Sequence, residues 1–235
     1  MKRLLILIPA FNEEKSLPRV VTDVRRTMPD ADLLVVNDGS RDATASVARE
    51  LGVAVLSHPW NMGYGVALQT GYKYAHAQGY DLLVQIDGDG QHDPSSMADL
   101  LEPVVKDEAD FVIGSRFHSS STYRPSLARK LGMLLFRKLV SALVGQRLTD
   151  TTSGFQACNA RVISYLTRDS FPCDYPDADL LILLHRAGFR IAERSVRMFA
   201  DNGGQSMHSG LKPLYYVFKM FLSIGVTLLR SDRYR

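Results

Sequence analysis

Residues 1–116 predict an α/β fold with a mostly parallel sheet covered by helices on both faces. Three observations carry this: short apolar runs alternate with amphipathic stretches of helix length, glycines and other turn residues punctuate them, and three apolar runs end in polar or acidic loops. The chain of 235 residues is 46% hydrophobic, enough for one substantial core.

The apolar run 4–8 is the first buried strand. Met1-Lys2-Arg3 before it has the look of a signal peptide, but the run is too short, and Pro9-Ala10-Phe11-Asn12-Glu13-Glu14 stands where a small-residue cleavage site belongs. Residues 16–28 follow as a helix with Leu17, Val20, Val21 and Val24 on one face. A second strand at 33–36 ends in Asn37-Asp38-Gly39-Ser40, and a helix over 42–51 is stopped by Gly52. Residues 53–56 are a third strand and 65–76 a third helix. The strand at 82–86 precedes a helix at 97–105 and a strand at 111–113. Beyond Gly114-Ser115-Arg116 the alternation is lost. Residues 125–144 read as one long helix with Leu127, Leu131, Leu134, Leu135 and Leu139 as its apolar stripe. Residues 149–155 form a polar link, 179–186 a helix, 190–199 a strand, 203–206 a loop and 214–229 a last apolar helix.

The segment Val84-Gln85-Ile86-Asp87-Gly88-Asp89-Gly90-Gln91-His92-Asp93-Pro94 ends an apolar strand in two carboxylates one residue apart. Ligands of open parallel sheets bind outside the carboxyl ends of the strands, and hard carboxylate oxygens there suit Mg²⁺ or Mn²⁺ with positions left open for a diphosphate. Asp-Gly-Asp-Gly also makes a good solvated turn, and on these residues alone the two readings stand level. The loops at 9–13, 37–40 and 87–89 all follow strands and should meet on one edge, which favours a site. Asp93 before Pro94 reads as a helix cap, and His92 as a support rather than a ligand because hard cations prefer oxygen.

A formal net charge of +3, with no interleaved basic and aromatic residues, gives no sign of nucleic acid binding. Cys158 and Cys173 lack metal-ligand spacing and fit a reducing cytosol. No internal repeat or low-complexity tract stands out.

Six segments in order resemble the family 2 glycosyltransferases, especially the polyprenol-phosphate sugar synthases similar to dolichol-phosphate mannose synthase. They are Ile8-Pro9-Ala10-Phe11-Asn12-Glu13-Glu14; Asn37-Asp38-Gly39-Ser40 with Asp42-Ala43-Thr44; Asn61-Met62-Gly63 with Ala67 and Gly71; residues 87–94; Gly114-Ser115-Arg116; and Thr152-Ser153-Gly154-Phe155. The resemblance implies a GT-A fold, a UDP- or GDP-linked sugar donor, a Mg²⁺ or Mn²⁺ cofactor and inversion at the anomeric carbon. It implies that Pro9, Ala10, Glu13 and Asp38 line the nucleoside pocket, with Asp38 accepting from the base and Asn61 and Gly63 adding to the donor site. Asp38 making a local turn and Glu13 capping a helix are the structural alternatives. By the same resemblance Asp87, Asp89 and Gln91 match the metal-binding loop, Asp89 and Arg116 would face the departing diphosphate, and Ser153 with Gly154 would shape the acceptor side. A salt bridge is the alternative for Arg116, and a plain loop for Ser153.

One departure concerns the acceptor. Where the family often carries Arg-x-x-Gly-x-Ser, this chain has Asp201-Asn202-Gly203-Gly204-Gln205-Ser206, which leaves Lys212, Arg197 or Arg194 to replace the cation. A polyprenyl phosphate could attack as an anion, whereas a sugar hydroxyl needs a base, for which Asp177 or Asp179 is the candidate. Helix capping is the alternative for Asp177. The last helix, 214–229, would be about 24 Å long, short of the roughly 30 Å hydrocarbon core, so it is expected to lie on a membrane surface or pack on the catalytic domain.

The expected organisation is a catalytic domain over 1–210, with a nucleotide-sugar half (1–116) and an acceptor half (117–210), followed by an amphipathic or membrane-associated helix over 211–235. The expected activity is metal-dependent, inverting sugar transfer to a polyprenyl phosphate at the cytoplasmic membrane face. Transfer to a sugar hydroxyl of a cell-envelope or soluble glycan is the rival, and a noncatalytic nucleotide-sugar-binding or scaffolding subunit another. A homo-oligomer is compatible with the sequence.

Overall fold

A computed structural model describes residues 2–116, 127–174, 176–199 and 212–229. Seven strands form one sheet: β1 (Leu4–Ala10), β2 (Asp32–Asn37), β3 (Ala54–Ser57), β4 (Leu82–Gln85), β5 (Phe111–Ser115), β6 (Gln156–Asn159) and β7 (Ile191–Ser195). Their order across the sheet is β3-β2-β1-β4-β6-β5-β7. All neighbouring pairs are parallel except those made by β6, which runs antiparallel to both β4 and β5. The register Leu7↔Leu34 and Leu7↔Gln85 aligns the carboxyl ends of β1, β2 and β4, so their following loops share one edge.

Successive strand residues point to opposite faces, and both faces are covered. Ile6 and Ile8 of β1 pack with α1 (Leu17–Thr27), α2 (Thr44–Glu50) and α4 (Met97–Val105); Leu5 and Leu7 face the opposite cluster with α3 (Tyr64–Ala77), α5 (Leu127–Val144), α6 (Ala160–Leu166) and α7 (Ala178–Arg186). The expected face of α1 is the buried one: Leu17, Val20, Val21 and Val24 are all inside, and Arg25 and Arg26 complement the dipole in its last turn. A short 3-10 turn at Pro94–Ser96 leads into α4, and Asp93 caps it by accepting from Ser95 N at 3.0 Å.

Residues 156–166, where the sequence pattern marks no element, form β6 and α6, the latter capped by Asn159, whose side chain accepts from Val162 N at 3.1 Å. Two expectations need correction. In α5, which packs on α7, Phe136, Val140 and Val144 are buried and Leu139 packs partly against the same core, while Leu134 of the expected stripe is exposed. The strand near 190–199 is shorter, ending at Ser195. Residues 125–126, the loop at 203–206, Asp201 and the terminal arginines lie outside the described residues.

The last helix, α8 (Lys212–Leu229), packs on α7. Ile224 and Thr227 are buried, the Phe221 and Phe136 rings meet at 5.3 Å, and Lys219 Nζ donates to Asp174 Oδ2 at 2.7 Å. Its other side exposes Leu222, Val226 and Leu229. Among the described residues no helix is long and apolar enough to cross a membrane.

Candidate active site

The loops after β1, β2 and β4 meet as their parallel register requires. Asp38 N donates to Ala10 O at 2.9 Å, Asn12 N to Ser40 Oγ at 2.9 Å, and Glu13 N to Thr44 Oγ1 at 2.8 Å. The buried Pro9 and Ala10 form the floor beneath Gly88, where an added Cβ would lie 3.1 Å from Pro9 O.

Asp38 is buried and committed to the loop that follows β3. Its Oδ1 accepts from His58 Nδ1 at 2.7 Å and Met62 N at 2.9 Å, and its Oδ2 from Gly63 N at 2.9 Å. A carboxylate offers about four acceptor sites, and these three bonds leave one of them on Oδ2. The local turn is made by Asn37, whose Oδ1 accepts from Ser40 N at 3.2 Å. Gly39 is required here: its φ is +66°, and a Cβ would lie 2.2 Å from the Trp60 backbone. Asn61 lies exposed between these anchors.

Glu13, Asp87 and Asp89 gather at this edge. Burial pushes the Glu13 carboxyl above its usual range, nearness to Asp89, Asp42 and Asp87 adds to that, and the Ser16 hydroxyl bonded to Glu13 Oε2 opposes it. Burial acts the same way on Asp87, but His92, Tyr64 and the nearby Arg116 charge outweigh it and hold that carboxyl below its usual range. Tyr64 Oη donates to Asp87 Oδ1 at 2.8 Å, and His92 Nε2 lies 3.2 Å from Oδ2. His92 is therefore a support of Asp87, and its buried Nδ1 has no partner among the described residues. Asp89 Oδ1 accepts from Gln91 N at 2.9 Å, and Gln91 O accepts from Phe199 N at 2.7 Å, which pins this loop to the segment after β7.

These residues fit a divalent cation. Crowded acids with hard oxygens favour a positive charge between them, and Mg²⁺ or Mn²⁺ can be held by one or two carboxylates with substrate phosphates completing the shell. Among the described residues no three acidic, His or Cys side chains form a cage.

Arg116 is not in a surface salt bridge. Its Nε and Nη2 donate to Asp150 Oδ2 and Oδ1 at 2.6 and 2.7 Å, a two-pronged pair with a carboxylate that has no exposed side-chain surface. Nη2 also donates to Thr152 Oγ1 at 2.7 Å. The turn carrying Asp150 is held in turn by Glu193, which accepts from Asp150 N at 2.7 Å and Thr149 Oγ1 at 2.8 Å.

Ser153 and Asp179 are both buried. Ser153 is buried; its Oγ accepts from Phe155 N at 3.3 Å and its carbonyl from Gln156 Nε2 at 2.8 Å, so it shapes the turn rather than facing a ligand. Its neighbour Gly154 makes the close approach: a Cβ there would lie 2.6 Å from the Asp87 carboxylate and 2.7 Å from Tyr64 Oη. Asp179 is 1% exposed and bonded to Ser223 of α8 and to Leu180 N at 2.8 Å, so an acceptor hydroxyl has no path to it here. Burial raises its carboxyl to about 6. Asp177 at the start of α7 makes no side-chain capping bond, and its charge bears on Tyr64. Of the proposed replacement cations, Arg194 bonds Glu193 O at 3.3 Å and Arg197 is exposed.

The sequence pattern gives no sign of Tyr64, Asp150 or Glu193; of these supporting residues only Gln85, a polar residue inside an apolar strand, stands out.

A family model described as glycosyl transferase family 2 matches residues 5–167. A UDP-N-acetylglucosamine–dolichyl-phosphate N-acetylglucosaminyltransferase of Methanococcus voltae is 31% identical, over 97% of this chain and 98% of its own. An undecaprenyl-phosphate mannosyltransferase of Micrococcus luteus is 32% identical over 88% of each. In structure, glucosyl-3-phosphoglycerate synthase from Mycobacterium tuberculosis, solved with Mn²⁺, UDP-glucose and phosphoglyceric acid, superposes with a TM-score of 0.73 at 22% identity, over 98% of this chain and 81% of that one. This likeness speaks for the fold, which is GT-A, as the resemblance implied. With the family match spanning the strand-end loops that build the acidic site, the chain belongs to the family 2 glycosyltransferases.

Proposed function

We propose that this enzyme is a metal-dependent, inverting glycosyltransferase that moves a sugar from a nucleotide-sugar donor to a polyprenyl phosphate at the cytoplasmic face of a membrane. The observation that carries the reading is the convergence of Glu13, Asp87 and Asp89 on one strand edge, in a chain whose near-full-length relatives are named for dolichyl and undecaprenyl phosphate acceptors. Pro9, Ala10, Glu13, Asp38, Asn61 and Gly63 would hold the nucleoside, UDP- or GDP-linked. Asp87, Asp89 and Gln91 would hold Mg²⁺ or Mn²⁺, which when bound supplies Lewis-acid stabilisation of the charge on a departing diphosphate.

The chain's own residues orient the displacement. An acceptor phosphate oxygen forms the new bond to the anomeric carbon from the face opposite the diphosphate, and the electron pair of the broken bond leaves with the nucleoside diphosphate. A phosphate monoester has its second ionisation near pH 6, so this acceptor is largely a dianion at neutral pH and needs no general base. Arg116, held by Asp150 near Asp87, adds positive charge on the phosphate side. The exposed Leu222, Val226 and Leu229 would rest at the lipid surface that carries the acceptor.

The nearness of Asp177 to Tyr64 favours the second reading, transfer to a sugar hydroxyl with Asp177 as base. Incubating the enzyme with UDP- and GDP-linked sugars and either a polyprenyl phosphate or a panel of glycans separates them. A glycosylated lipid phosphate whose formation survives Asp177→Asn supports the first; product only on glycans, lost in that variant, replaces it with the second.

A further inference from the structure

Tyr64 and Gln85 form a hydrogen-bonded chain whose direction is set by one backbone carbonyl. Gln85 is buried and ends β4 two residues before Asp87. Its amide nitrogen lies 2.8 Å from Gly154 O and 2.9 Å from Tyr64 Oη, and its amide oxygen 2.8 Å from Tyr72 Oη. A carbonyl oxygen only accepts, so the amide atom facing Gly154 must be the nitrogen. Its second N–H then points at Tyr64 Oη, and Tyr72 donates to the amide oxygen. Tyr64 has one proton, and with its oxygen accepting from Gln85 that proton is left for Asp87 Oδ1, 2.8 Å away. Every donor and acceptor of the chain is matched, and each step admits one orientation.

The chain ends on a carboxylate already contacted on its other oxygen by His92. Bonds to both oxygens stop the Asp87 carboxylate from rotating, while each oxygen keeps a lone pair for a cation. Tyr64 also follows Gly63, whose N–H is held by Asp38, so its backbone is anchored where it enters α3.

We propose that Tyr64 and Gln85 are positioning residues that aim Asp87 and thereby set the affinity of the site for its divalent cation, an inference that rests on the metal reading above. Hydrogen-bond partners of metal ligands typically change affinity by about 10- to 100-fold when removed. Gln85 acts through Tyr64, so its removal should add nothing once the Tyr64 hydroxyl is gone.

The test titrates the full chain with Mn²⁺, alone and with UDP or GDP, following free Mn²⁺ by electron paramagnetic resonance, for the wild type, Y64F, Q85L, the double variant and D87N. Thermal unfolding without metal is recorded for each, since a purely structural role would move that melting temperature and not the affinity of the folded fraction. The expected result is Mn²⁺ binding weakened about tenfold or more in Y64F at an unchanged metal-free melting temperature, a similar loss in Q85L, and no further loss in the double variant. Affinity within twofold of wild type in Y64F, or additive losses in the double variant, overturns the inference, provided D87N loses Mn²⁺. If D87N binds Mn²⁺ as the wild type does, the metal reading fails first and takes the inference with it.

Discussion

Replacing Asp179 with asparagine should stabilise the protein above pH 6 and change little near pH 4. The carboxylate is 1% exposed, and burial raises it from the ordinary 3.8 to about 6 against the opposing bonds from Ser223, Leu180 N and Asp177 N. The folded state thus holds this proton more tightly than the unfolded chain. Its contribution is most favourable below pH 3.8, falls as pH rises from there to about 6, and above that carries the full cost of a buried charge. A difference of about two units at about 1.4 kcal/mol each makes that cost about 3 kcal/mol. Asparagine keeps the shape, accepts the backbone bonds through its oxygen and offers its amide to Ser223, so the cost disappears. For a chain of this size the gain corresponds to a rise in melting temperature of about 6–12 °C at pH 8, shrinking to under about 1 kcal/mol at pH 4. Thermal unfolding of both proteins by circular dichroism across this range reads it directly. A D179N variant less stable than the wild type at pH 8, or a gap that does not change with pH, would refute the reasoning. Loss of sugar transfer in a folded D179N would return this residue to the role of acceptor base.

Asp150→Asn should cost about 3–5 kcal/mol by urea denaturation, because it strands the largely buried Arg116 without its two-pronged partner. A loss under about 1 kcal/mol would mean that the pair behaves as a screened surface contact. Gly154→Ala puts a methyl group 2.6 Å from the Asp87 carboxylate and should weaken Mn²⁺ binding about tenfold or more, whereas unchanged binding would show that the turn yields freely. Replacing the exposed Leu222 and Leu229 with serine should reduce flotation with anionic phospholipid vesicles while leaving the melting temperature in place; equal flotation removes α8 from the membrane argument.

The legible part of the molecule ends near Arg116. Up to that point most strands and helices carry an apolar run or stripe of their own, and most are followed by a glycine or an acidic loop. The antiparallel β6 was invisible because Gln156-Ala157-Cys158-Asn159 is four residues with polar ends, buried by its neighbours β4 and β5 rather than by an apolar pattern of its own. The five leucines proposed as the stripe of α5 include Leu134, which is exposed, since tertiary packing chose the seam Phe136-Val140-Val144. The acids of the site were readable because each stands at the end of a strand. Their supports were not: Tyr64 meets Asp87 across 23 positions and Gly154 meets Gln85 across 69, distances that no local pattern reports. The burial of Asp179 is hidden from the sequence for the same reason, its partner Ser223 lying 44 positions away on α8.

The central claim is that the acidic edge holds a cation for the nucleoside diphosphate. Calorimetric titration of UDP and of GDP into the full chain, with and without Mn²⁺, for the wild type and Asp89→Ala, tests it most directly. The account predicts that one of the two nucleotides binds tightly only with Mn²⁺ and that Asp89→Ala removes the metal-dependent part while the variant still unfolds cooperatively. Nucleotide binding of equal strength with and without Mn²⁺, unchanged in Asp89→Ala, would contradict it.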